Sequence, residues 1–372
     1  MNRRHFLRNL ALATAAAASG PAAGLTPARP LAGRRPNIVF IMTDDQGLGD
    51  MAWTGHPHIV TPNLDALRRQ SIWFSDFQVS PTCAPTRCAL MTGRHEFYSG
   101  VTHTIFERER MSLKAYTLLQ ALKSAGYATG IFGKWHLGDE DPYQPGRRGF
   151  DEVFIHGAGG IGQTYSGSCG DVPNNSYFDL VIRHNGVFER TQGFCTDVFF
   201  DRALAWIDAR RKTGEPFFCY LTPNAPHGPY HAPDKWKKRY VEAGLNDNQA
   251  GFCGMVENID WNVGRLVAKL DEWGLSENTL LCFLGDNGTC QPKLYDGGMR
   301  GAKGSPFQGG TRVGLLARWR GTLAENAECP ALTAHIDLFP TFCALAGATP
   351  PADKRLDGRS LLPLLLNPKG NW

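Results

Sequence analysis

Cys83 and Arg87 stand four residues apart in Pro81-Thr82-Cys83-Ala84-Pro85-Thr86-Arg87-Cys88. Pro85 suits the first turn of a helix, where its missing N–H costs nothing. An i to i+4 spacing sets Cys83 and Arg87 on the same side of that turn. Position 83 then lies at a helix N-terminus, whose free N–H groups and dipole favour an anion, with a guanidinium beside it. These surroundings lower a thiol pKa and suit a thiolate nucleophile. A buried or disulfide-bonded cysteine near a structural arginine is also compatible with these residues alone.

A second set of residues offers oxygen donors. Asp44-Asp45 ends the apolar run Asn37 to Thr43, and Asp286-Asn287-Gly288 follows another apolar run. If the two strand ends meet, they form an anionic all-oxygen cluster that selects Ca²⁺ or Mg²⁺ over zinc. Each pair taken singly also suits a helix cap or a turn. Lys134 and His136 close the stretch Gly126-Tyr127-Ala128-Thr129-Gly130-Ile131-Phe132-Gly133-Lys134-Trp135-His136. Their period-two spacing on a strand points both side chains to one side. His227 lies in Pro223-Asn224-Ala225-Pro226-His227-Gly228-Pro229, and Lys303 in Arg300-Gly301-Ala302-Lys303-Gly304, ahead of Gly309-Gly310-Thr311-Arg312-Val313.

The elements that must position these groups alternate. Strand patterns occur at 37–43, 72–77, 127–132, 217–222, 279–284 and 313–317, and helical patterns at 113–125, 197–211, 251–273 and 336–346. That alternation predicts an α/β fold with a large, mostly parallel sheet covered by helices on both faces. Ligands in such folds collect at the carboxyl ends of the strands. The Gly-, Ser- and Asn-rich segment 157–185 reads as a long surface loop.

The chain has 372 residues, a net charge of +4 and no basic block, which argues against nucleic acid as a partner. Arg3-Arg4 ahead of an alanine-rich apolar stretch reads as a twin-arginine export signal with a linker over residues 1–33, leaving a catalytic domain over 34–372. The apolar stretch falls short of the ~20 residues a membrane span needs. The first cysteine is Cys83, which leaves no lipobox. The expectation is a periplasmic or secreted protein that engages the twin-arginine translocase and is not membrane-integral. Ten cysteines suit an oxidising compartment, but their connectivity is not readable.

The C-x-P-x-R core with Met91-Thr92-Gly93-Arg94, the two Asp-containing pairs, the Gly126–His136 pattern, the Pro-His segment and the lysine loop together resemble the type I sulfatases, the formylglycine-dependent, arylsulfatase-like branch of the alkaline phosphatase superfamily. The resemblance runs from Asn37 to Leu356-Asp357-Gly358-Arg359-Ser360-Leu361-Leu362. It implies that a formylglycine-generating enzyme converts Cys83 to 3-oxoalanine (formylglycine), whose hydrate is the nucleophile beside Arg87. It implies one Ca²⁺, with Mg²⁺ second, on Asp44, Asp45, Asp286, Asn287 and residue 83. Lys134 and Lys303 would meet the sulfate, His227 or Lys303 would protonate the leaving alcohol, and His136 would act as base. The implied substrate is a sulfated carbohydrate or a small sulfate ester. A phosphonate monoester or phosphodiester hydrolase on the same scaffold is the alternative. Gln308 replaces an acidic residue common in the family, the segment 155–194 carries no transferable motif, and the family's small C-terminal subdomain is expected to be absent or truncated.

Overall fold

The computed structural model describes residues 31–372, so the export-signal reading of the first thirty residues lies outside the described residues. In chain order the strands are β1 Asn37–Thr43, β2 Ile72–Phe74, β3 Phe77–Gln78, β4 Ala128–Lys134, β5 Glu152–His156, β6 Val181–His184, β7 Val187–Arg190, β8 Phe217–Thr222, β9 Thr279–Gly285, β10 Leu315–Arg318, β11 Ala327–Cys329 and β12 Thr333–Ala334. The helices are α1 Pro62–Arg69, α2 Cys83–Thr92, α3 Leu118–Ser124, α4 Cys195–Arg211, α5 Asp234–Glu242, α6 Asp247–Glu272, α7 Gln308–Thr311, α8 Leu338–Ala346 and α9 Leu362–Leu366.

Ten strands form one mixed sheet in the order β11-β2-β10-β9-β1-β8-β4-β5-β6-β7. Its centre, from β9 to β5, is parallel, while β10, β6 and β7 join antiparallel. Every residue of β1, β8 and β9 is buried, as a parallel strand covered on both faces requires. Alternation along β1 divides the core. Ile38, Phe40 and Met42 pack with Ala84, Leu90, Leu118 and Phe342 on one face, and Val39 and Ile41 pack with Phe199, Ile259 and Leu266 on the other. No helix among the described residues is long and apolar enough to cross a membrane.

Register brings the chemistry to one edge. Thr43 pairs with Gly285, and Gly133 with Thr222, so residues 44–45, 134 and 286–287 all emerge at the carboxyl end of the sheet. Gly133 is required there: its φ is +120°, and a Cβ would lie 2.0 Å from the Thr222 carbonyl oxygen.

Several elements depart from the sequence expectation. The run 72–77 breaks at Ser75-Asp76, so β2 joins the large sheet and β3 pairs with β12 in a separate two-stranded sheet. Helix α3 starts at Leu118 instead of 113, because Thr117 caps it, its N–H donating to Gln120 Oε1 at 2.8 Å. Helix α6 begins earlier than expected, at Asp247, where the Asn246 side chain accepts from Gln249 N. The segment 157–185 is not a plain surface loop: Gly157 to Ile161, Tyr177 and Leu180 are buried, and β6 starts inside it. All ten cysteines are free thiols among the described residues, so the disulfide framework left open by the sequence is not formed.

Gly133→Ala should destabilise the protein by about 3 kcal/mol or more, through a left-handed backbone and a clash with β8 together. Urea midpoints of the two proteins check this, and an unchanged midpoint would show that β4 and β8 can separate at no cost.

Candidate active site

Four strand ends and one helix N-terminus build the site. Asp44-Asp45 leave β1, Lys134 ends β4, His227 follows β8 and Asp286-Asn287 leave β9. Thr82 is the N-cap of α2, which makes Cys83 its first residue and places Pro85 in the first turn, as the sequence expects. Cys83, Arg87, Asp44, Asp45, Lys134, His136, Asp286 and Asn287 are all at most 2% exposed. Such a buried set of charges survives only by mutual pairing.

Arg87 is the hub. Its Nε and Nη2 donate to Asp286 Oδ2 at 3.1 and 2.7 Å, and its Nη1 donates to the Lys134 carbonyl at 3.3 Å and to the Thr222 hydroxyl. Asp45 N donates to the other Asp286 oxygen at 3.0 Å, which fastens the β1 and β9 ends together. Lys134 Nζ donates to Asp44 Oδ2 at 2.6 Å. Lys303 Nζ lies 2.7 and 2.8 Å from the two Asp45 oxygens, and Asn287 Nδ2 and Cys290 Sγ also donate to that carboxylate, at 3.0 and 2.9 Å. His227 Nε2 is 3.7 Å from Asp45 Oδ2, and its Nδ1 bonds to the Gly228 carbonyl at 2.7 Å. Lys303 and His227 are the members that reach solvent, with side chains 25% and 18% exposed, so the mouth of the site lies over them.

The structure therefore brings together all ten residues singled out in the sequence. One expectation about them changes. β4 stops at Lys134, and His136 reaches the site through a left-handed backbone (φ 59°), not as the next tooth of a strand. Asp45 is left-handed too (φ 66°), and strain of this kind is held in place by the contacts around it.

Donor chemistry at the centre fits a divalent cation. Asp44, Cys83 and Asp286 each offer an atom, all within 4.8 Å of one another. Asp44 Oδ1 and Asn287 Oδ1 are buried without a hydrogen-bond partner. Burial pushes the Asp44 carboxyl up to about 7 against the pull of Lys134, the behaviour of a carboxylate short of positive charge. Burial also opposes ionisation of the Cys83 thiol, but Lys134 and His136 outweigh it and lower its pKa. Burial disfavours the His136 imidazolium, yet Cys83 and Glu109 raise His136 to about 9.

With this geometry in place, comparison with known proteins is decisive. The family model described as Sulfatase matches residues 36–348. The chain belongs to the sulfatase family. Human N-acetylgalactosamine-6-sulfatase is 32% identical over 356 residues, an alignment that covers 89% of this chain and 66% of that protein. Human arylsulfatase A is 33% identical over 374 residues, covering 93% of this chain and 69% of that one. Among solved structures, Ps i-CgsB in complex with k-i-k-neocarrahexaose superposes with a TM-score of 0.79 at 30% identity, covering 90% of this chain and 77% of that one. The chain thus spans just under two thirds of the length of its N-acetylgalactosamine-6-sulfatase relatives, and it shares with the solved sulfatases the large mixed sheet flanked by helices.

Sequence reasoning missed three contributors to this site. Thr222 receives Arg87, Cys290 touches Asp45, and Glu109 Oε2 lies 3.0 Å from His136 Nε2. Thr222 and Cys290 could have been found by asking what ends β8 and follows Asp286-Asn287. Glu109 carries no local signal.

A divalent cation at 100 times its dissociation constant should stabilise the protein by about 2.7 kcal/mol. Thermal midpoints with the cation and with a chelator check this, and Asp44→Asn should shrink the difference between them. Arg87→Met should cost about 3–5 kcal/mol by stranding Asp286, with Arg87→Lys restoring little because the fork is lost; urea melts of both variants decide.

Proposed function

We propose that this chain hydrolyses sulfate esters, of sulfated carbohydrates or of small aryl alcohols, with a nucleophile made from Cys83. The observation that carries the reading is the convergence of the Cys83 sulfur with Asp44 and Asp286 oxygens inside a ring of Arg87, Lys134 and Lys303. The names of its relatives, N-acetylgalactosamine-6-sulfatase and arylsulfatase A, give the ester class, and a neighbour solved with a neocarrahexaose gives carbohydrate as the favoured substrate type.

Charge arithmetic favours an anionic substrate. Three carboxylates, Asp44, Asp45 and Asp286, face three cations, Arg87, Lys134 and Lys303. A dication held by Asp44, Asp45, Asp286 and Asn287 makes the centre positive and supplies Lewis acidity toward a sulfate oxygen. Hard oxygen donors favour Ca²⁺, with Mg²⁺ second. Converted to formylglycine by a formylglycine-generating enzyme, and hydrated, residue 83 supplies a hydroxyl nucleophile and a second hydroxyl whose deprotonation expels sulfate without another attack by water.

The remaining roles fall to the side chains around residue 83. Lys134 and Lys303 neutralise sulfate oxygens from two sides. Burial and Lys134 push the His227 pKa down, whereas Asp45 keeps Lys303 protonated despite its own burial. Either Lys303 or His227 is placed to donate a proton to the departing alcohol oxygen. His227, with Nδ1 bonded to Gly228, would do so through Nε2. His136 is the base for residue 83 in this reading, because conversion of Cys83 removes the thiolate that helps hold its pKa up. Arg3-Arg4 supports export through the twin-arginine translocase to the periplasm or beyond.

Cys83→Ala should lower kcat/KM for an aryl sulfate by more than about 1,000-fold with the melting midpoint preserved. Cys83→Ser should release at most about one equivalent of alcohol per enzyme, because its ester has no second hydroxyl. The wild-type protein should turn over the aryl sulfate faster than an aryl phosphate diester. Preference for the diester would move the assignment to phosphoryl chemistry, and sustained turnover by either variant would remove residue 83 from the reaction.

A further inference from the structure

A second cavity opens where α2 ends. It measures about 280 Å³, and its wall includes Arg94, Tyr98, Lys114, Lys354 and Arg355, with Asp353 the carboxylate among its lining residues. No residue of the candidate active site lines it. Helix α2 runs from Cys83 to Thr92, which also lines the cavity, so the helix alone sets the two places about 14 Å apart.

Carboxylates answer two of its four cations. Lys354 Nζ is 2.8 Å from Asp353 Oδ2, and Arg355 Nε is 3.4 Å from Asp357 Oδ1. Among the described residues, Arg94 and Lys114 meet no carboxylate within 4.0 Å, and Arg94 Nε is buried without a hydrogen-bond partner. A cleft lined by one sign of charge focuses its field and concentrates a ligand of the opposite sign. Tyr98 adds an aromatic wall: the Arg94 guanidinium lies 4.8 Å from the centre of its ring, and the residue is 71% exposed, which leaves ring surface open to a ligand. An arginine fork matches the paired oxygens of a tetrahedral oxyanion. A ring with an apolar body and a polar tip suits the face of a sugar whose hydroxyls stay wet.

We propose that this cavity is a second binding site, separate from the catalytic one, for a sulfated sugar unit, with Arg94 and Lys114 holding the sulfate and Tyr98 the sugar ring. The choice of sulfate as the anion rests on the sulfate-ester reading above; the need for an anion beside an aromatic ring does not. A cavity of this size takes about one sugar unit. Lys354 and Arg355, half-answered by their own carboxylates, draw the anion in and leave the direct contacts to the two unpaired cations. A sulfated chain carries many such units, and holding one of them raises the concentration of the others around the same molecule.

Isothermal titration of the full chain as Cys83→Ala, so that no ester is consumed, tests the site with the sulfated hexasaccharide k-i-k-neocarrahexaose as probe. Adding Lys114→Glu and Lys354→Glu together should remove one binding site per chain or weaken it at least about 10-fold. Tyr98→Ala should weaken the same site about 5-fold. All three side chains are exposed, so the melting midpoints should be retained. An isotherm that the paired substitution leaves unchanged overturns the proposal. So does equal binding at this site of the desulfated hexasaccharide, of a thymidine hexanucleotide or of sodium sulfate, which would make the cavity a sugar site, a general polyanion site or a site for the free ion. A protein that cleaves aryl sulfates yet shows the unchanged isotherm keeps the sulfatase reading and loses this one. A protein that cleaves no sulfate ester yet loses a hexasaccharide site on the paired substitution does the reverse.

Discussion

The buried pair between Arg87 and Asp286 is the constraint on which the site depends. Arg87 comes from the first turns of α2 and Asp286 from the end of β9, so their 2.7 Å contact sets the helix N-terminus against the sheet edge. Breaking such a pair by removing one partner strands a charge in low dielectric. The same guanidinium bonds the β4 carbonyl at Lys134 and the β8 hydroxyl at Thr222, so one side chain ties helix and three strands together around Cys83. Asp286 in turn holds Asp45 through its backbone N–H, which extends the tie to β1.

From that tie follows the polarity of the pocket. The inner wall, formed by Asp44, Lys134 and Arg87, is closed to water, whereas Lys303 and His227 face the opening. Buried ion pairs of this density do not maximise stability; they fix the positions of opposite charges around residue 83. Left-handed backbones at Asp45 and His136 are part of the same arrangement, since each turns a side chain back toward residue 83 just after its strand has ended.

How much of this was legible depended on whether a residue's role is local. β1 and β8 were readable to the residue because a parallel strand buried on both faces leaves an unbroken apolar run. β7 was not, for all four of its residues are exposed and its pattern is that of a loop. Asp44-Asp45 and Asp286-Asn287 were legible as polar pairs abruptly ending such runs, and Cys83 with Arg87 as a helix start with a fixed i to i+4 partner. Glu109 sits in Phe106-Glu107-Arg108-Glu109-Arg110, where charges follow one another as on a solvated surface. Its burial is decided by the fold, which brings His136 to it, and no periodicity encodes that. The 157–185 segment misled for a related reason: glycines that read as a flexible loop are there because Gly159 packs against His136 and Gly157 against Asp139.

The central claim is that the charge ring exists to run chemistry on a rebuilt residue 83. Mass spectrometry of the tryptic peptide spanning Cys83, from protein co-expressed with a formylglycine-generating enzyme and shown to cleave an aryl sulfate, tests it most directly. The account predicts an aldehyde in place of the thiol, in a fraction of molecules that tracks the specific activity. An intact thiol throughout a fully active preparation would contradict it.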